Sequence, residues 1–298
     1  MKTIVMTGAT KGIGLAAADS IRRVSDVHLL FGARSKSTAS ADSLPLDLAR
    51  LASVRAFAAS VDESLGETSI DGLVLNAGTQ FPDVDGRTED GFERTFAVNH
   101  LAHYLLLRLL MPRLASGAVV EITTSDTHDP KVIGLAPPEH ADARLLAKGK
   151  VGVTAKSQAS RPGMRAYATS KLCNLLTARA LATSTFSQQR ALRVIAFNPG
   201  LTPGTQLLRN QPRALRFVAA ALIPILSPIM QLNTIAGGGD ILADLVLGRL
   251  VPPAGRLYAS EMKRHLTWPD PSDLARDDAV MAKLWRDSAE LVGLPEQG

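Results

Sequence analysis

Short apolar segments alternate with longer amphipathic segments along most of the chain, and this alternation restricts the fold more than any other feature of the sequence. Stretches such as GIGLAAADSIRRV and LASVRAFAASVDESL have the spacing of helices with one apolar face. Strands separated by helices of this length pair in parallel through right-handed crossovers. The sequence therefore predicts an α/β fold, a doubly wound parallel sheet with helices on both faces and hence three layers. The predicted strands are TIVMT (3 to 7), VHLLFGA (27 to 33), GLVLNA (72 to 77), AVVEITT (118 to 124), LRVIAFNP (192 to 199) and RLYA (256 to 259).

Two segments lie outside this alternation. Residues 129–162 are rich in Pro, Gly, Lys and Ala, and residues 201–235 follow the predicted strand that ends at Pro199. Because ligands bind at the carboxyl ends of the strands in such sheets, we expect residues 129–162 to be an insertion there and residues 201–235 to form a lid over the substrate. The chain has 298 residues, of which 46% are hydrophobic, so we expect one domain that spans residues 1–298.

Charge and cysteine content argue against several classes of protein. The net charge is +5, but Lys and Arg are scattered and aromatic residues make up only 4% of the chain. This pattern argues against nucleic-acid binding, and a basic pocket for an anionic cofactor explains the charge equally well. The single cysteine, Cys173, allows no internal disulfide and no thiolate zinc site, and no other metal site is predicted. The N-terminal MKTIVMTGAT has no signal-peptide architecture, so we expect a cytoplasmic location.

The most apolar stretch is LRFVAAALIPILSPIMQL at residues 215–232. Pro224 and Pro228 interrupt it, and it is short for a membrane span. We interpret it as a pocket lid or core segment and expect no integral membrane span. Peripheral contact with a membrane is the alternative.

A glycine-rich turn follows the first predicted strand directly. In TGATKGIG, Gly8, Gly12 and Gly14 permit a tight turn, and the helix that follows offers unpaired N–H groups and a positive dipole end. A diphosphate is the natural ligand of such a turn. The alternative is a turn with no ligand, because a glycine-rich loop alone is a weak signal.

A tyrosine and a lysine stand one helical turn apart in YATSK. The i and i+4 side chains of a helix share one face, so Tyr167 and Lys171 should point into the same space. A nearby desolvated cation stabilises a phenolate, so we expect Lys171 to lower the pKa of Tyr167 and suit it to proton transfer. Chance spacing on an ordinary helix is the alternative.

The ordered set of these motifs resembles the short-chain dehydrogenase/reductase family. It consists of the GxxxGxG spacing, NAG at 76–78 and YxxxK at 167–171, and the resemblance runs from residue 3 to about residue 205. FAVNHLAHYLL at 96–106 and SKLCN at 170–174 are especially similar to the branch that includes retinol dehydrogenases and protochlorophyllide reductases. The resemblance implies a Rossmann fold that binds a nicotinamide dinucleotide.

The resemblance also implies four catalytic positions. Tyr167 is expected to be the proton donor or acceptor, and Lys171 to orient the nicotinamide ribose. A strand-end hydroxyl should bond the reacting oxygen; Ser125 is favoured and Thr124 is the alternative. The backbone carbonyl of Asn99 is expected to hold a water that links Lys171 to solvent, although a buried structural amide would look the same in sequence.

The type of cofactor follows from the second strand. An NAD-selective site has a carboxylate near the end of that strand, but residues 27–35 contain neither Asp nor Glu. Arg34 stands there instead and Lys11 adds a second positive charge, so NADP(H) is favoured over NAD(H). Few residues separate Arg34 from Asp47, which predicts a missing or reduced crossover helix.

The expected cofactor contacts extend along the whole dinucleotide. Asp47 aligns with the family's adenine-site aspartate, although Asp is also a common helix N-cap. In NPGLTPGTQL, Thr202 or Thr205 is expected to bond the carboxamide or a phosphate, unless the segment is an ordinary turn. The complete predicted set is Gly8, Thr10, Lys11, Gly12, Ile13, Gly14, Arg34, Asp47, Leu48, Asn76, Ala77, Gly78, Tyr167, Lys171, Pro199, Gly200 and Thr202.

The predicted function is NADP(H)-dependent transfer of a hydride between nicotinamide and the carbonyl or alcohol carbon of a hydrophobic small molecule. One alternative is reduction of a carbon–carbon double bond by the same frame. Others are a non-catalytic NADP-sensing scaffold and a membrane-associated lipid-modifying enzyme. The helices around 92–114 and 167–186 could form a homodimer or homotetramer, unless residues 129–162 obstruct that face.

Overall fold

The computed structural model describes residues 1–34, 42–132, 136–159, 161–204 and 232–296. Its strands, in chain order, are β1 (Lys2–Thr7), β2 (Val27–Ala33), β3 (Ser43–Pro45), β4 (Ile70–Leu75), β5 (Leu114–Thr123), β6 (Arg193–Asn198), β7 (Tyr258–Met262) and β8 (His265–Thr267). Within the described residues they form one sheet in the order β3-β2-β1-β4-β5-β6-β7-β8. Neighbours from β3 to β7 pair in parallel, and β8 pairs antiparallel to β7.

The predicted doubly wound sheet is confirmed, with two additions. Each of the six predicted strands is present, with shifted ends in all but β2. Strands β3 and β8 were not predicted because each is three residues long and neither is buried, so they carry no apolar run that a pattern can detect. The antiparallel edge strand β8 means that the sheet is mostly rather than wholly parallel.

Helices cover both faces of the sheet. They are α1 (Gly12–Arg22), α2 (Leu51–Leu65), α3 (Arg94–Phe96), α4 (Ala102–Leu110), α5 (Ala143–Ala147), α6 (Ala155–Ala159), α7 (Pro162–Thr183), α8 (Thr185–Gln189), α9 (Ile235–Val246), α10 (Asp273–Arg276) and α11 (Asp278–Leu291). A π-helical turn (Ala97–Leu101) joins α3 to α4, and short 3-10 turns lie at Met111–Arg113 and Asp126–His128.

Alternate residues of the central strands build two separate cores. On β1, Ile4 and Met6 pack with α1 and α9, whereas Val5 belongs to the core beneath α2, α4 and α7. Both faces of β1 are therefore buried, as expected for a central parallel strand. Helices α1 and α9 pack closely because α9 carries Gly239, where an added Cβ would lie 2.5 Å from the Cβ of Ala16.

The sheet changes direction next to β1. The chain runs from β1 to β2 and β3 on one side and then returns to β4 on the other. At such a switch point the connections after neighbouring strands diverge and leave a crevice at the carboxyl ends of the strands. The glycine turn after β1 and the NAG turn after β4 both lie at this crevice.

The two segments outside the alternation are described to different extents. In residues 129–162, α5 and α6 are formed, and Arg165 on α7 binds this segment through Glu139 (2.5 Å) and the carbonyl of Pro137 (2.7 Å). Residues 205–231 lie outside the described residues, and with them most of the predicted lid and the apolar stretch at 215–232. The predicted reduction of the crossover helix between β2 and β3 also falls on residues that are not described, at 35–41.

The last helix covers part of the surface predicted to mediate association. Helix α11 packs against α7, α5 and α4. The hydroxyl of Tyr104 on α4 donates to the carbonyl of Trp285 at 2.9 Å, and His100 pairs with Ser288 at 2.9 Å. In the parts of the chain that are described, no helix has both the length and the apolar character needed to cross a bilayer.

Candidate active site

An open cleft runs along the carboxyl ends of the strands, over the switch point. Most of the predicted cofactor residues line it: Gly8, Thr10, Lys11, Gly12, Ile13, Gly14, Arg34, Asp47, Leu48, Asn76, Ala77, Gly78, Tyr167, Lys171 and Pro199. Thr79, Phe81, Val98 and Thr123 also line it and were not predicted. Thr79 and Phe81 follow the NAG motif, whereas Val98 lies within FAVNHLAHYLL and Thr123 within the predicted strand AVVEITT, and none of the four was singled out as a contact.

The glycine turn is closely packed at Gly8 and Gly14 and open at Gly12. An added Cβ at Gly14 would lie 2.1 Å from the carbonyl oxygen of Gly8. Gly8 has a φ of +75° and would meet the Cα of Ala77 at 2.8 Å. At Gly12, where α1 begins, no described residue lies within 4 Å of an added Cβ, so this side of the turn is open within the described part of the chain. The helix N-terminus thus faces space that no described residue fills, which fits the diphosphate of a dinucleotide.

Thr7 joins the glycine turn to the NAG turn. Its hydroxyl accepts hydrogen bonds from the backbone N–H groups of Asn76 and Ala77, both at 3.1 Å. The same oxygen lies 3.0 Å from Nε2 of His103, to which it can donate. Sequence reasoning missed both Thr7 and His103. A buried polar residue at a strand end, and a histidine four residues after Asn99, are the signals that were available.

Asn99 is fully engaged in the π-helical turn. Its side chain accepts from the N–H of Thr79 (2.8 Å) and donates to the carbonyl of Thr79 (2.8 Å) and the hydroxyl of Ser170 (3.0 Å). Its backbone carbonyl lies 3.0 Å from Nδ1 of His103, which must therefore carry the proton. Burial lowers the pKa of His103 to about 4, so this ring is neutral at pH 7. The Asn99 carbonyl predicted to hold a water is thus bonded to His103.

Tyr167, Ser125 and Lys171 meet at one end of the cleft. Helix α7 carries Tyr167 and Lys171, and both side chains are buried. The Ser125 hydroxyl lies close enough to the phenol of Tyr167 to lower its pKa. Nζ of Lys171 lies 5.8 Å from the centroid of the Tyr167 ring and donates to the carbonyl of Thr123 at 3.0 Å. The three groups predicted to act together are therefore neighbours.

The expected fall in the pKa of Tyr167 is not what the structure shows. Burial raises the pKa of this phenol above its ordinary value, and the carboxylate of Asp126 raises it further, while the neighbouring Ser125 side chain lowers it. Burial also lowers the pKa of Lys171 to about 8, an effect that the negative charge of Glu121 opposes. The sequence argument counted the cation near the phenol but not the desolvation of both groups, which is the larger effect here.

The two candidate strand-end hydroxyls have different environments. Thr124 donates its hydroxyl to the carbonyl of Lys171 at 2.7 Å, so it fastens β5 to α7. Ser125 instead faces Tyr167 and accepts from the N–H of Thr127 at 3.3 Å. This geometry favours Ser125 over Thr124 as the strand-end hydroxyl that could bond the reacting oxygen. His128, in the 3-10 turn after Ser125, lies 2.6 Å from the Ser125 carbonyl through Nδ1 and accepts from the N–H of Ser272 through Nε2.

The adenosine end of the cleft is more open. Arg34, directly after β2, and Lys11 are exposed. Asp47 lines the cleft, and its side chain accepts from the N–H of Ala49 at 3.1 Å, so it closes a turn rather than capping α2. The N–H of Leu51 at the start of α2 donates instead to Asp90.

The turn after β6 is partly as expected. Pro199 lines the cleft, and Gly200 has a φ of +62° with no room for a side chain, since an added Cβ would lie 2.3 Å from the carbonyl of Glu261. Thr202 donates to the carbonyl of Pro199 at 3.0 Å, which closes the turn. Gly200 and Thr202 do not line the cleft, and Thr205 lies outside the described residues.

Neither the single cysteine nor the described metal-binding side chains are arranged for catalysis. Cys173 is buried on α7, and burial raises the pKa of its thiol. Among the described residues, no three His, Cys, Asp or Glu side chains gather where they could hold a metal ion.

Comparison with known proteins agrees with this geometry. A protein-family match described as short chain dehydrogenase covers residues 2–136. Dehydrogenase/reductase SDR family member 13 of Bos taurus is 33% identical over 98% of this chain and 74% of its own length. The chloroplastic protochlorophyllide reductase of Daucus carota is 29% identical over 98% of this chain and 78% of its own length. A crystal structure of an uncharacterised protein of Mycobacterium paratuberculosis superposes with a TM-score of 0.67 and 25% identity, covering 100% of this chain and 96% of that one.

Proposed function

The chain belongs to the short-chain dehydrogenase/reductase family, and from this premise we propose that it is an NADP(H)-dependent oxidoreductase acting on a carbonyl or alcohol carbon of a hydrophobic small molecule. The observation that carries the proposal is the proximity of Ser125, Tyr167 and Lys171 at the end of a cleft that the glycine turn also lines. Bound nicotinamide supplies or accepts the hydride. The chain supplies the proton and the groups that orient the reacting oxygen.

Tyr167 is the proton donor for carbonyl reduction and the acceptor for alcohol oxidation. Because burial raises the pKa of this phenol, it holds its proton at neutral pH, which suits donation. Ser125 donates a hydrogen bond to the oxygen that becomes negative during reduction. Lys171 contributes positive charge at the floor of the cleft, where its Nζ is fixed by the carbonyl of Thr123.

A preference for NADP(H) is the second part of the proposal. Strand β2 ends at Ala33 and places Arg34 at the rim of the cleft, with Lys11 on the glycine turn. Two cations without a carboxylate in that strand favour a ribose that carries a phosphate. Cofactor residues that line the cleft would hold the dinucleotide along its length, with the diphosphate at the N-terminus of α1.

Reduction of a carbon–carbon double bond remains a second candidate. Its support is the similarity to protochlorophyllide reductases over 98% of the chain. The same proton donor and hydride could serve either reaction, so product analysis distinguishes them. A saturated ketone product from an unsaturated ketone supports this alternative, and an allylic alcohol supports the main proposal.

Substitution of Tyr167 by Phe tests the proposed function. We expect NADPH consumption with a panel of lipophilic ketones, aldehydes and enones to fall by about 10²–10⁴-fold, because the proton donor is lost. Calorimetric titration with NADPH and NADH should show tighter binding of NADPH and little change between Tyr167→Phe and the unsubstituted protein.

The matched control is Tyr104→Phe, which removes a phenol from α4 outside the cleft and should leave turnover unchanged. Unchanged turnover in Tyr167→Phe would refute the assignment of the proton donor. Tight NADPH binding without consumption of any substrate by the unsubstituted protein would instead support the sensing scaffold.

A further inference from the structure

A carboxylate stands beside the proposed reaction centre that the mechanism above does not require. Asp126 follows Ser125 directly, and the Ser125 hydroxyl donates to Oδ1 of Asp126 at 3.4 Å. The same hydroxyl lies close enough to the phenol of Tyr167 to lower its pKa. Asp126 is therefore one hydroxyl group away from the proton donor, and its side chain is only half-buried.

The negative charge of this carboxylate raises the pKa of two phenols. It acts on Tyr167 and also on Tyr258 of β7, whose ring packs edge-on against His128. In the described part of the chain, Asp126 takes part in no ion pair. No described cation therefore pairs with the carboxylate that lies beside the Ser125 hydroxyl.

Such a charge acts against the reaction expected here. Reduction of a carbonyl builds negative charge on its oxygen, next to Ser125, and a fixed carboxylate nearby opposes that charge. A substrate with a positive charge close to its carbonyl would offset the repulsion by pairing with the carboxylate in a partly desolvated site. A substrate that is itself a carboxylate would add to it.

We propose that Asp126 determines substrate specificity: its carboxylate selects ketones or aldehydes that carry a protonated amine near the reacting carbon, and it rejects those that carry a carboxylate. This inference rests on the proposed function and narrows its substrate class to amine-bearing hydrophobic carbonyl compounds. Asp126 selects the substrate, while Tyr167 and Ser125 perform the proton transfer and hold the oxygen.

Three phenyl alkyl ketones of equal chain length test the proposal, with tails that end in a dimethylammonium, an isopropyl or a carboxylate group. With NADPH at pH 7, we expect kcat/KM to fall in that order, with at least about tenfold between the ammonium and isopropyl ketones. In Asp126→Asn the order should collapse to within about threefold, chiefly through KM of the ammonium ketone. In Asp129→Asn, which removes the same charge three residues later, the order should remain. Equal rankings in Asp126→Asn and the unsubstituted protein would overturn the proposal.

Binding provides a readout that does not depend on turnover. Calorimetric titration of the protein saturated with NADP⁺ with the alcohols corresponding to the three ketones should give the same ranking of Kd, and Asp126→Asn should abolish it. If no ketone is reduced but the ammonium alcohol still binds preferentially through Asp126, the proposed function fails and the specificity inference stands. If ketones are reduced with no dependence on Asp126, the reverse holds.

Discussion

Two polar clusters lie at the cleft, and they differ in charge and in how completely they are hydrogen-bonded. The Thr7 cluster consists of Thr7, Asn76, Asn99 and His103, and hydrogen bonds connect it to backbone on both turns that line the cleft. The Glu121 cluster consists of Glu121, Thr123 and Lys171. The first is neutral and densely bonded, whereas the second contains two ionisable groups of opposite sign.

The charged cluster is incompletely bonded. Oε1 of Glu121 accepts from the hydroxyl of Thr123 at 2.9 Å, while Oε2 is buried without a partner among the described residues. Burial raises the pKa of Glu121 to about 8 and lowers that of Lys171 to about 8. Each group therefore loses its charge more readily than it would in water.

The two clusters therefore have different roles: one fixes the backbone, and the other responds to pH. A satisfied neutral network fixes backbone geometry at all ordinary pH values, because none of its members changes charge there. A buried pair with an unpaired oxygen is costly to ionise and so responds to pH. The Thr7 cluster accordingly holds the two turns together, and the Glu121 cluster sets the charge beneath the proposed proton donor.

Removal of the Asn99 amide should have the largest effect on stability. Asn99→Leu leaves the N–H and carbonyl of Thr79 without their partner, and each unsatisfied buried group costs about 1–3 kcal/mol. We expect the free energy of unfolding in urea to fall by about 4 kcal/mol. Gln188→Leu, which removes an exposed amide from α8, should change it by less than about 0.5 kcal/mol. A loss below about 1 kcal/mol for Asn99→Leu would mean that the Thr7 cluster does not depend on this side chain.

Replacement of Glu121 by Gln should have a pH-dependent effect of intermediate size. Since the pKa of Glu121 in the folded protein, about 8, lies above the ordinary glutamate value of 4.5, the folded protein retains a proton that the unfolded chain releases. Stability of the unsubstituted protein therefore falls as pH rises from about 4.5 to about 8. Glu121→Gln removes this slope.

Urea unfolding at pH 5.5 and pH 8 measures the effect. Relative to the unsubstituted protein, Glu121→Gln should gain on the order of 3 kcal/mol between the two pH values. Lys171 contributes little to the comparison, because its own loss of charge begins only near the upper pH. Glu63→Gln, on the exposed side of α2, should show no such gain. Parallel stability curves for Glu121→Gln and the unsubstituted protein would show that Glu121 does not titrate in this range.

The same two clusters show what the sequence could and could not predict. The sheet, the glycine turn and the Tyr167–Lys171 pair were predictable because each has a local sequence pattern. These patterns are the alternation of apolar and amphipathic segments, the spacing of the glycines and the i, i+4 spacing on a helix. The partners of Thr7 and Glu121 come from strands and helices far apart in sequence, and pairing across such distances leaves no local pattern. Desolvation, which reverses the expected shift at Tyr167, is likewise a property of the packed molecule.

Thr123→Val should have the smallest effect and isolates the bond inside the charged cluster. Val has nearly the shape of Thr but cannot donate to Glu121, while the Thr123 carbonyl, which accepts from Lys171, belongs to the backbone and is kept. A hydrogen bond to an ionised group is worth about 1.5–3 kcal/mol and a neutral one about 1 kcal/mol. In a double-mutant cycle with Glu121→Gln, the coupling energy from urea unfolding should therefore be about 1 kcal/mol larger at pH 8 than at pH 5.5. Equal coupling at both pH values would mean that Glu121 keeps one protonation state, and the contrast between the two clusters would then lie in their hydrogen bonds rather than in their charge.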